Sequence, residues 1–319
     1  MCEKTNAIHE CGVYLGEALA RYGFGDNHPF GPARHDVFRQ AFYQQHLERK
    51  TEILPPQIAD PATLERFHTA DYVEQVRRQS RLGTGYLDHG DTPAFIGMYE
   101  AAATVAGSVC DALDRIMGGQ LRRAFIPIAG LHHARRDTAA GFCVFNDCGV
   151  GIEHLRHQHG LERIAYVDID AHHGDGVFYS YEDDAAVIFV DLHEDGRYLY
   201  PGTGRADETG HGEAKGAKLN IPMPPESGDR DFMRVWPQVE DFLRAHGAAF
   251  ILLQCGADSI AGDPLTHLRY SPAAHAHAAQ RLRLLADELC QGRLLAMGGG
   301  GYNHANIAAT WTAVVRALQ

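Results

Sequence analysis

A chain of 319 residues with 45% hydrophobic and 22% charged side chains can bury a substantial core, and one large α/β domain of this length (1–319) is ordinary. Its net charge of −12 argues against a nucleic-acid partner and suits cationic substrates. The sequence shows no apolar run long enough to span a membrane and no signal-peptide core, and its seven cysteines are scattered. We therefore expect a cytoplasmic protein with free thiols and no membrane partner, and the oligomeric state stays open.

Strand-like apolar runs alternate with helix-like segments along the chain. The clearest helix, 93–117, has apolar residues at steps of three and four, Pro93 in its first turn and Gly118-Gly119 at its end. This alternation predicts a single-domain α/β fold with a mainly parallel central sheet and helices on both faces. Helices are predicted over 32–48, 61–81, 93–117, 147–159, 230–246, 271–291 and 303–318, and strands over 124–128, 164–167, 186–192, 250–254 and 293–297.

Polar residues cluster directly after several of these strands. The strand at 124–128 leads to two consecutive histidines, His132 and His133, and the strand at 250–254 leads to Asp258. The strand at 293–297 leads to four glycines and Tyr302. Because open α/β sheets bind ligands at the carboxyl ends of their strands, this layout predicts one site at one edge of the sheet.

The richest cluster follows the strand at 164–167, where residues 168–176 contain three carboxylates and two imidazoles. An extended chain would place Asp168, Asp170 and His172 on one face. Aspartate and neutral histidine are good ligands for zinc, whereas a capped turn needs only one or two such residues. With Asp258 as the third ligand the shell is oxygen-rich, so Fe²⁺ or Mn²⁺ is plausible beside Zn²⁺.

The tandem histidines predict acid–base chemistry next to this metal. A carboxylate that accepts the Nδ1–H of a histidine fixes its tautomer and raises its basicity. Asp168 and Asp175 could each orient one of His132 and His133, which would give two His–Asp pairs suited to hydrolysis. The glycines before Tyr302 lack the Lys-Ser/Thr of a P-loop, so we interpret them as a loop that brings the phenol to a developing oxyanion, with a packed aromatic as the alternative.

With these residues assembled, the chain resembles the zinc-dependent deacetylase superfamily, which comprises histone deacetylases, acetoin-utilisation proteins and acetylpolyamine amidohydrolases. The resemblance runs from about Phe24 onward and implies an arginase/deacetylase-like fold. The matching motifs are His28-Pro29 with Arg34, His68-Thr69-Ala70-Asp71-Tyr72-Val73, Gly130-Leu131-His132-His133-Ala134, Gly141-Phe142-Cys143 with Asn146-Asp147, residues 168–176, Pro201-Gly202-Thr203-Gly204, Gly256-Ala257-Asp258 with Gly262-Asp263-Pro264, and residues 298–303.

The resemblance also implies a role for individual residues. Asp170, His172 and Asp258 match the zinc ligands, His133 the proton shuttle, His132 an electrostatic stabiliser and Tyr302 the carbonyl-polarising tyrosine. Gly141, Phe142 and Tyr200 match residues along the acyl-lysine tunnel, and Asp91 and Leu265 match positions at its rim. Arg34 matches an arginine at an acetate-release pocket. The positions that match a site for K⁺ or Na⁺ are Asp168, Asp170, His172, Asp191 and Leu192.

Three positions depart from the family pattern. Asp191 stands where many relatives carry serine beside the monovalent-cation site. Tyr200 stands where phenylalanine is common. Leu265 stands where a polyamine-selective branch carries a glutamate, so that selectivity device is missing here.

Three kinds of function can be compared with these motifs. The first is metal-dependent hydrolysis of an N-acetyl amide, acting on acetyl-lysine, a small acetylated amine or an acetylpolyamine. A binuclear manganese ureohydrolase would need aspartates where this chain has Gly174 and Ile260. A non-catalytic acyl-lysine binder would be expected to have lost a ligand, a tandem histidine or the tyrosine, and all of these are present.

Overall fold

A computed structural model describes residues 10–25 and 28–319. The sheet in the described part of the chain has eight strands, all parallel, in the order β2-β1-β3-β8-β7-β4-β5-β6. The strands are β1 (Cys11–Tyr14), β2 (Glu52–Leu54), β3 (Arg123–Ile126), β4 (Ile164–Asp168), β5 (Val187–Glu194), β6 (Lys218–Met223), β7 (Phe250–Gln254) and β8 (Leu294–Met297).

Ten helices in the same residues cover the two faces of this sheet, as the alternating sequence pattern predicts. Helix α10 (His304–Leu318) packs against both α2 (Ala33–Gln44) and α9 (Pro272–Leu289), and α5 (Met98–Met117) packs against α6 (Asp147–His159). No helix in 10–25 or 28–319 combines the length and apolarity of a membrane span. The helices are α1 (Glu17–Ala20), α2 (Ala33–Gln44), α3 (Pro61–Leu64), α4 (Ala70–Leu82), α5 (Met98–Met117), α6 (Asp147–His159), α7 (Asp175–Ser180), α8 (Asp229–His246), α9 (Pro272–Leu289) and α10 (His304–Leu318).

The central strands are the most predictable part of the fold. The five predicted strands correspond to β3, β4, β5, β7 and β8. Every residue of these strands is buried, because helices cover both faces of a parallel sheet. Continuous apolar runs therefore mark them in the sequence.

Two helix predictions were wrong in their limits. The helix predicted over 93–117 begins only at Met98, because Gly97 adopts φ 85° at its N-cap and Pro93 forms a β-bridge with Tyr86. The helix predicted over 61–81 is two helices, α3 and α4. The hydroxyl of Thr69 accepts a hydrogen bond from the Tyr72 N–H (3.3 Å) and starts the second of them.

Candidate metal centre and active site

The predicted metal ligands, tandem histidines and tyrosine follow the carboxyl ends of four adjacent central strands, β3, β8, β7 and β4. His132 and His133 follow β3, and Tyr302 follows β8. Asp258 follows β7, and the cluster that begins at Asp168 follows β4. The sheet order therefore brings together residues up to 170 positions apart in the sequence.

Asp170, His172 and Asp258 form the predicted donor set, with their ligand atoms all within 4.8 Å of one another. Nδ1 of His172 lies 3.0 Å from Oδ1 of Asp170 and 3.1 Å from Oδ2 of Asp258. All three residues are buried. The prediction that an extended strand carries Asp168, Asp170 and His172 on one face was wrong, because β4 ends at Asp168. Hydrogen bonds hold the irregular backbone instead, from Asp170 N to Asp168 Oδ1 (3.1 Å) and from His172 N to Asp170 Oδ1 (3.0 Å).

This donor set fits a divalent cation. Burial, together with the charge of Asp170, raises the pKa of Asp258, so two buried carboxylates side by side need a positive partner. Oδ2 of Asp170 also accepts hydrogen bonds from Gln254 Nε2 (2.8 Å) and from the Gly300 N–H (2.9 Å). A Cβ at Gly256 would overlap the Asp170 carboxylate, and one at Gly300 would overlap that of Asp258. The surrounding backbone is thus shaped to these carboxylates.

The two tandem histidines each pair with the carboxylate that the sequence predicts. Nδ1 of His132 lies 2.7 Å from Oδ2 of Asp168, and Nδ1 of His133 lies 2.7 Å from Oδ1 of Asp175. The two Nε2 atoms lie 3.1 Å apart and point toward the same space. The phenol of Tyr166 also donates to Oδ2 of Asp168 (2.6 Å). Both imidazoles are therefore held with Nε2 directed into the site.

The electrostatic surroundings separate the two histidines. Burial alone would lower the pKa of His132, but the carboxylates of Asp168 and Asp170 outweigh it and raise that pKa to about 9. Burial and the neighbouring charge of His132 lower the pKa of His133 to about 4, in spite of Asp175. These surroundings therefore favour the charged form of His132 and the neutral form of His133, whose Nε2 can accept a proton.

Tyr302 lies at the end of a glycine loop whose backbone is hydrogen-bonded to Arg34. The Arg34 guanidinium donates from Nε to the Gly301 carbonyl (2.8 Å) and from Nη2 to the Gly299 carbonyl (2.6 Å). The backbone N–H of Tyr302 donates to Oδ2 of Asp263 (2.8 Å). The resemblance assigns Arg34 to an acetate-release pocket, and that role stays a prediction. In the structure its guanidinium anchors the loop that carries the phenol.

The substrate-binding residues predicted for the tunnel and rim all lie around one opening, which we call the outer pocket. Its volume is about 260 Å³. The ring centroids of Tyr200 and His133 are 5.2 Å apart, so Tyr200 forms a wall directly beside the tandem histidines. Leu199 is the one lining residue that the sequence interpretation missed. The outer pocket is lined by Asp91, His133, Gly141, Phe142, His172, Leu199, Tyr200, Leu265 and Tyr302.

A much smaller space, which we call the inner cavity, lies deeper in the protein and measures about 20 Å³. It shares His133, Gly141, His172 and Tyr302 with the outer pocket, so the two spaces meet at residues that include the predicted catalytic groups His133 and Tyr302. The sequence interpretation also missed Phe30, which lines this cavity. Beyond the four shared residues, the inner cavity is lined by Phe30, Gly130, Leu131, His132, Cys143, Asp170, Gly299 and Gly300.

The carboxylate of Asp191, next to the predicted monovalent-cation site, already has a histidine partner. Its Oδ1 lies 2.7 Å from Nδ1 of His193, and its Oδ2 accepts the Gly174 N–H (2.8 Å). Nε2 of His193 lies 2.8 Å from the Gly204 carbonyl, so acceptors face both ring nitrogens. Burial would lower the pKa of His193, but Asp191 outweighs it and raises that pKa. K⁺ or Na⁺ near Asp191 and Leu192 stays a prediction.

A second cluster of metal-ligand types, Asp114 with His154 and His159, lies at the surface between α5 and α6. Nε2 of both histidines lies within 2.7 Å of Oδ1 of Asp114. Arg66 donates to Nδ1 of His154 (2.6 Å), so the proton of that ring is on Nε2 and faces the carboxylate. We interpret this cluster as a hydrogen-bonded link between helices.

Comparisons with known proteins agree with this geometry. Residues 28–318 match the histone deacetylase domain. The chain is 34% identical over 304 residues to the acetoin utilization protein AcuC of Bacillus subtilis (strain 168), covering 93% of this chain and 77% of that protein. It is 32% identical over 327 residues to AcuC of Staphylococcus xylosus, covering 98% and 84%. The crystal structure of the HDA15 HD domain superposes with a TM-score of 0.89 at 28% identity, covering 98% of this chain and 88% of that one.

Proposed function

Because the chain belongs to the histone deacetylase family, we propose that it is a metal-dependent amidohydrolase that releases acetate from N-acetylated amines. The observation that carries this proposal is the pairing of His132 with Asp168 and of His133 with Asp175, directly beside three convergent metal-ligand side chains. A purely binding protein has no need of two buried His–Asp pairs with different protonation states. Residues 1–319 act in this proposal as one catalytic domain.

Asp170, His172 and Asp258 would hold the metal, which we propose to be Zn²⁺, with Fe²⁺ or Mn²⁺ as alternatives. When bound, the metal supplies Lewis acidity toward the amide carbonyl and the attacking water. Gln254 and the Gly300 N–H hold the Asp170 carboxylate in place for this task.

The protein's own groups move the protons. His133 is neutral and its Nδ1–H faces Asp175, so its Nε2 can accept a proton from the attacking water. The positive charge on His132 favours the negative charge that develops in the site. The Tyr302 hydroxyl donates a hydrogen bond to the former carbonyl oxygen, and the proton on His133 is then delivered to the leaving amine.

The outer pocket suggests a substrate with a thin alkyl stem. Phe142 and Tyr200 flank an opening of about 260 Å³, which suits an acetamide at the end of an aliphatic chain. Asp91 at the rim can accept hydrogen bonds from a peptide backbone or attract an ammonium group. Leu265 provides no charge to select a polyamine, so we favour acetyl-lysine or a small acetylated amine, with acetylpolyamines as the alternative substrate class.

We place this reaction in the cytoplasm. The six cysteines at positions 11–290 are buried and unpaired, which suits a reducing compartment. The acidic net charge gives no support for a nucleic-acid partner.

The test compares kcat/KM of the Zn²⁺-loaded protein on an acetyl-lysine peptide and on N-acetylspermidine. A preference of tenfold or more for the peptide would support a protein deacetylase, and the reverse preference would support the polyamine alternative. The variant His133→Ala is the control for contaminating activity and should abolish turnover of either compound. Absence of turnover on both compounds would refute the proposed substrate class.

A further inference from the structure

The junction of the outer pocket and the inner cavity fixes the direction in which a substrate must lie. The outer pocket opens past Phe142 and Tyr200, so the amine portion of the substrate enters and leaves there. Two of the residues common to both spaces, His133 and Tyr302, are the ones that we propose to act on the amide, so the amide carbon must lie between the two spaces. The acyl chain, on the opposite side of that carbon from the amine, therefore points into the inner cavity.

The inner cavity is very small. A volume of about 20 Å³ is close to the space that one water molecule occupies by the same measure, roughly 10–15 Å³ or more. The methyl group of an acetyl chain is of similar size to a water molecule. Each further methylene would need space that the surrounding side chains now fill, and close-packed interiors yield little.

Phe30 is the one phenylalanine that lines this cavity, and it is only 2% exposed. Its ring packs edge-on against Tyr302, with centroids 6.5 Å apart, and against Tyr22 at 5.5 Å. Cζ of Arg34 lies 3.8 Å from the centre of the same ring. Because Arg34 is itself bound to the glycine-loop carbonyls, the Phe30 ring is held by contacts on several sides.

We infer that Phe30 is a specificity-determining residue that limits the acyl group of the substrate to acetyl. This inference rests on the proposed function and extends it to the acyl chain. The site should reject propionyl and, more strongly, butyryl amides, although their amine portions are identical.

The test uses three peptides that differ only in the acyl group on one lysine: acetyl, propionyl and butyryl. In the wild-type protein kcat/KM should fall by about 10–200-fold for each added methylene. A butyryl peptide cleaved within threefold of the acetyl peptide would overturn the inference and leave the proposed function standing. Cleavage of none of the three peptides would overturn both.

The variant Phe30→Leu assigns the limit to this residue, with Phe24→Leu as a matched control. Phe24 is equally buried and touches Phe30, with centroids 6.3 Å apart, but it does not line the inner cavity. Phe30→Leu should raise the butyryl-to-acetyl ratio of kcat/KM at least tenfold, and Phe24→Leu should leave it unchanged. An unchanged ratio in folded Phe30→Leu, or an equal rise in the control, would overturn the role of Phe30. If Phe30→Leu does not fold, Phe30→Met serves as the second variant.

Discussion

Replacing Asp175 by asparagine tests how strongly catalysis depends on the orientation and basicity of His133. Oδ1 of Asp175 lies 2.7 Å from Nδ1 of His133, and both side chains are buried. A hydrogen bond to a charged group contributes roughly 1.5–3 kcal/mol and a neutral one roughly 0.5–1.5 kcal/mol. Loss of the charge alone therefore costs about 1–1.5 kcal/mol, which is roughly tenfold in kcat.

The asparagine can also change the tautomer of His133. If its amide donates to Nδ1, the ring proton moves to Nε2 and the ring no longer accepts a proton from water. The equivalent change in a serine protease lowers kcat about 10⁴-fold. We therefore expect Asp175→Asn to lower kcat by between about tenfold and 10⁴-fold at unchanged metal content.

The assay is kcat and kcat/KM on an acetyl-lysine peptide from about pH 3 to 9, a range that includes the pKa of about 4 for His133, with Asp207→Asn as the control. Asp207 is exposed and pairs with Arg205 far from the catalytic groups. The negative charge of Asp175 raises the pKa of His133 against burial and the charge of His132, so its removal should move the acidic limb of kcat/KM to lower pH. A kcat within threefold of wild type, with the limb unmoved, would refute the assignment of His133 as the base.

Three further predictions concern the phenol, the metal and the rim. Tyr302→Phe should lower kcat by about 10²–10³-fold, because it removes the hydroxyl that donates to the oxyanion. Tyr198→Phe, at the exposed surface, should leave kcat unchanged. Equal kcat in both variants would remove Tyr302 from the mechanism. Removal of the metal with a chelator should abolish activity and lower Tm, because Asp170 and Asp258 lose their counter-charge. Zn²⁺ at 100 times its Kd should then restore about 2.7 kcal/mol to the free energy of unfolding. An unchanged Tm after chelation would argue against a metal at this site. Burial, reinforced by the carboxylate of Asp88, raises the pKa of Asp91 to about 6, so this carboxylate is neutralised below that pH and KM should rise as pH falls through about 6. The variant Asp91→Asn should show no such rise. Parallel pH profiles of KM for both proteins would exclude the Asp91 carboxylate from substrate binding.

The sequence was sufficient for the central strands and insufficient for the edges of the sheet. Runs such as 164–167 are apolar throughout because both faces of a central parallel strand are buried. The strands β1, β2 and β6 were missed. Two of them have only three or four residues, and β6 carries polar and half-buried positions, so none shows a clear apolar run. Their pairing depends on neighbours distant in the sequence.

The identities of the site residues were predictable, but their surroundings were not. Asp258 stood out because it follows a buried strand and completes a ligand set begun at Asp170. The role that we propose for Phe30 depends on its packing against Tyr302 and Arg34, and no local pattern marks a phenylalanine that lines a cavity. Gln254 offered a usable signal, since it is the one polar residue at the end of the apolar strand β7.

The position of β8 bears on how the protein is made. This strand is the last along the chain among those described, yet it lies in the middle of the sheet and alone joins β2-β1-β3 to β7-β4-β5-β6. During synthesis on the ribosome, β2-β1-β3 and β7-β4-β5-β6 cannot join into one sheet until β8 has been made. Synthesis from Gln254 to Met297 takes about 2–9 s. During that interval β3 and β7 lack the strand that separates them in the folded sheet, so we expect their unpaired edges to be open to wrong partners. The same order prevents a shortened product that ends before Leu294 from acting as a partial enzyme, because the strand that precedes Tyr302 also closes the sheet.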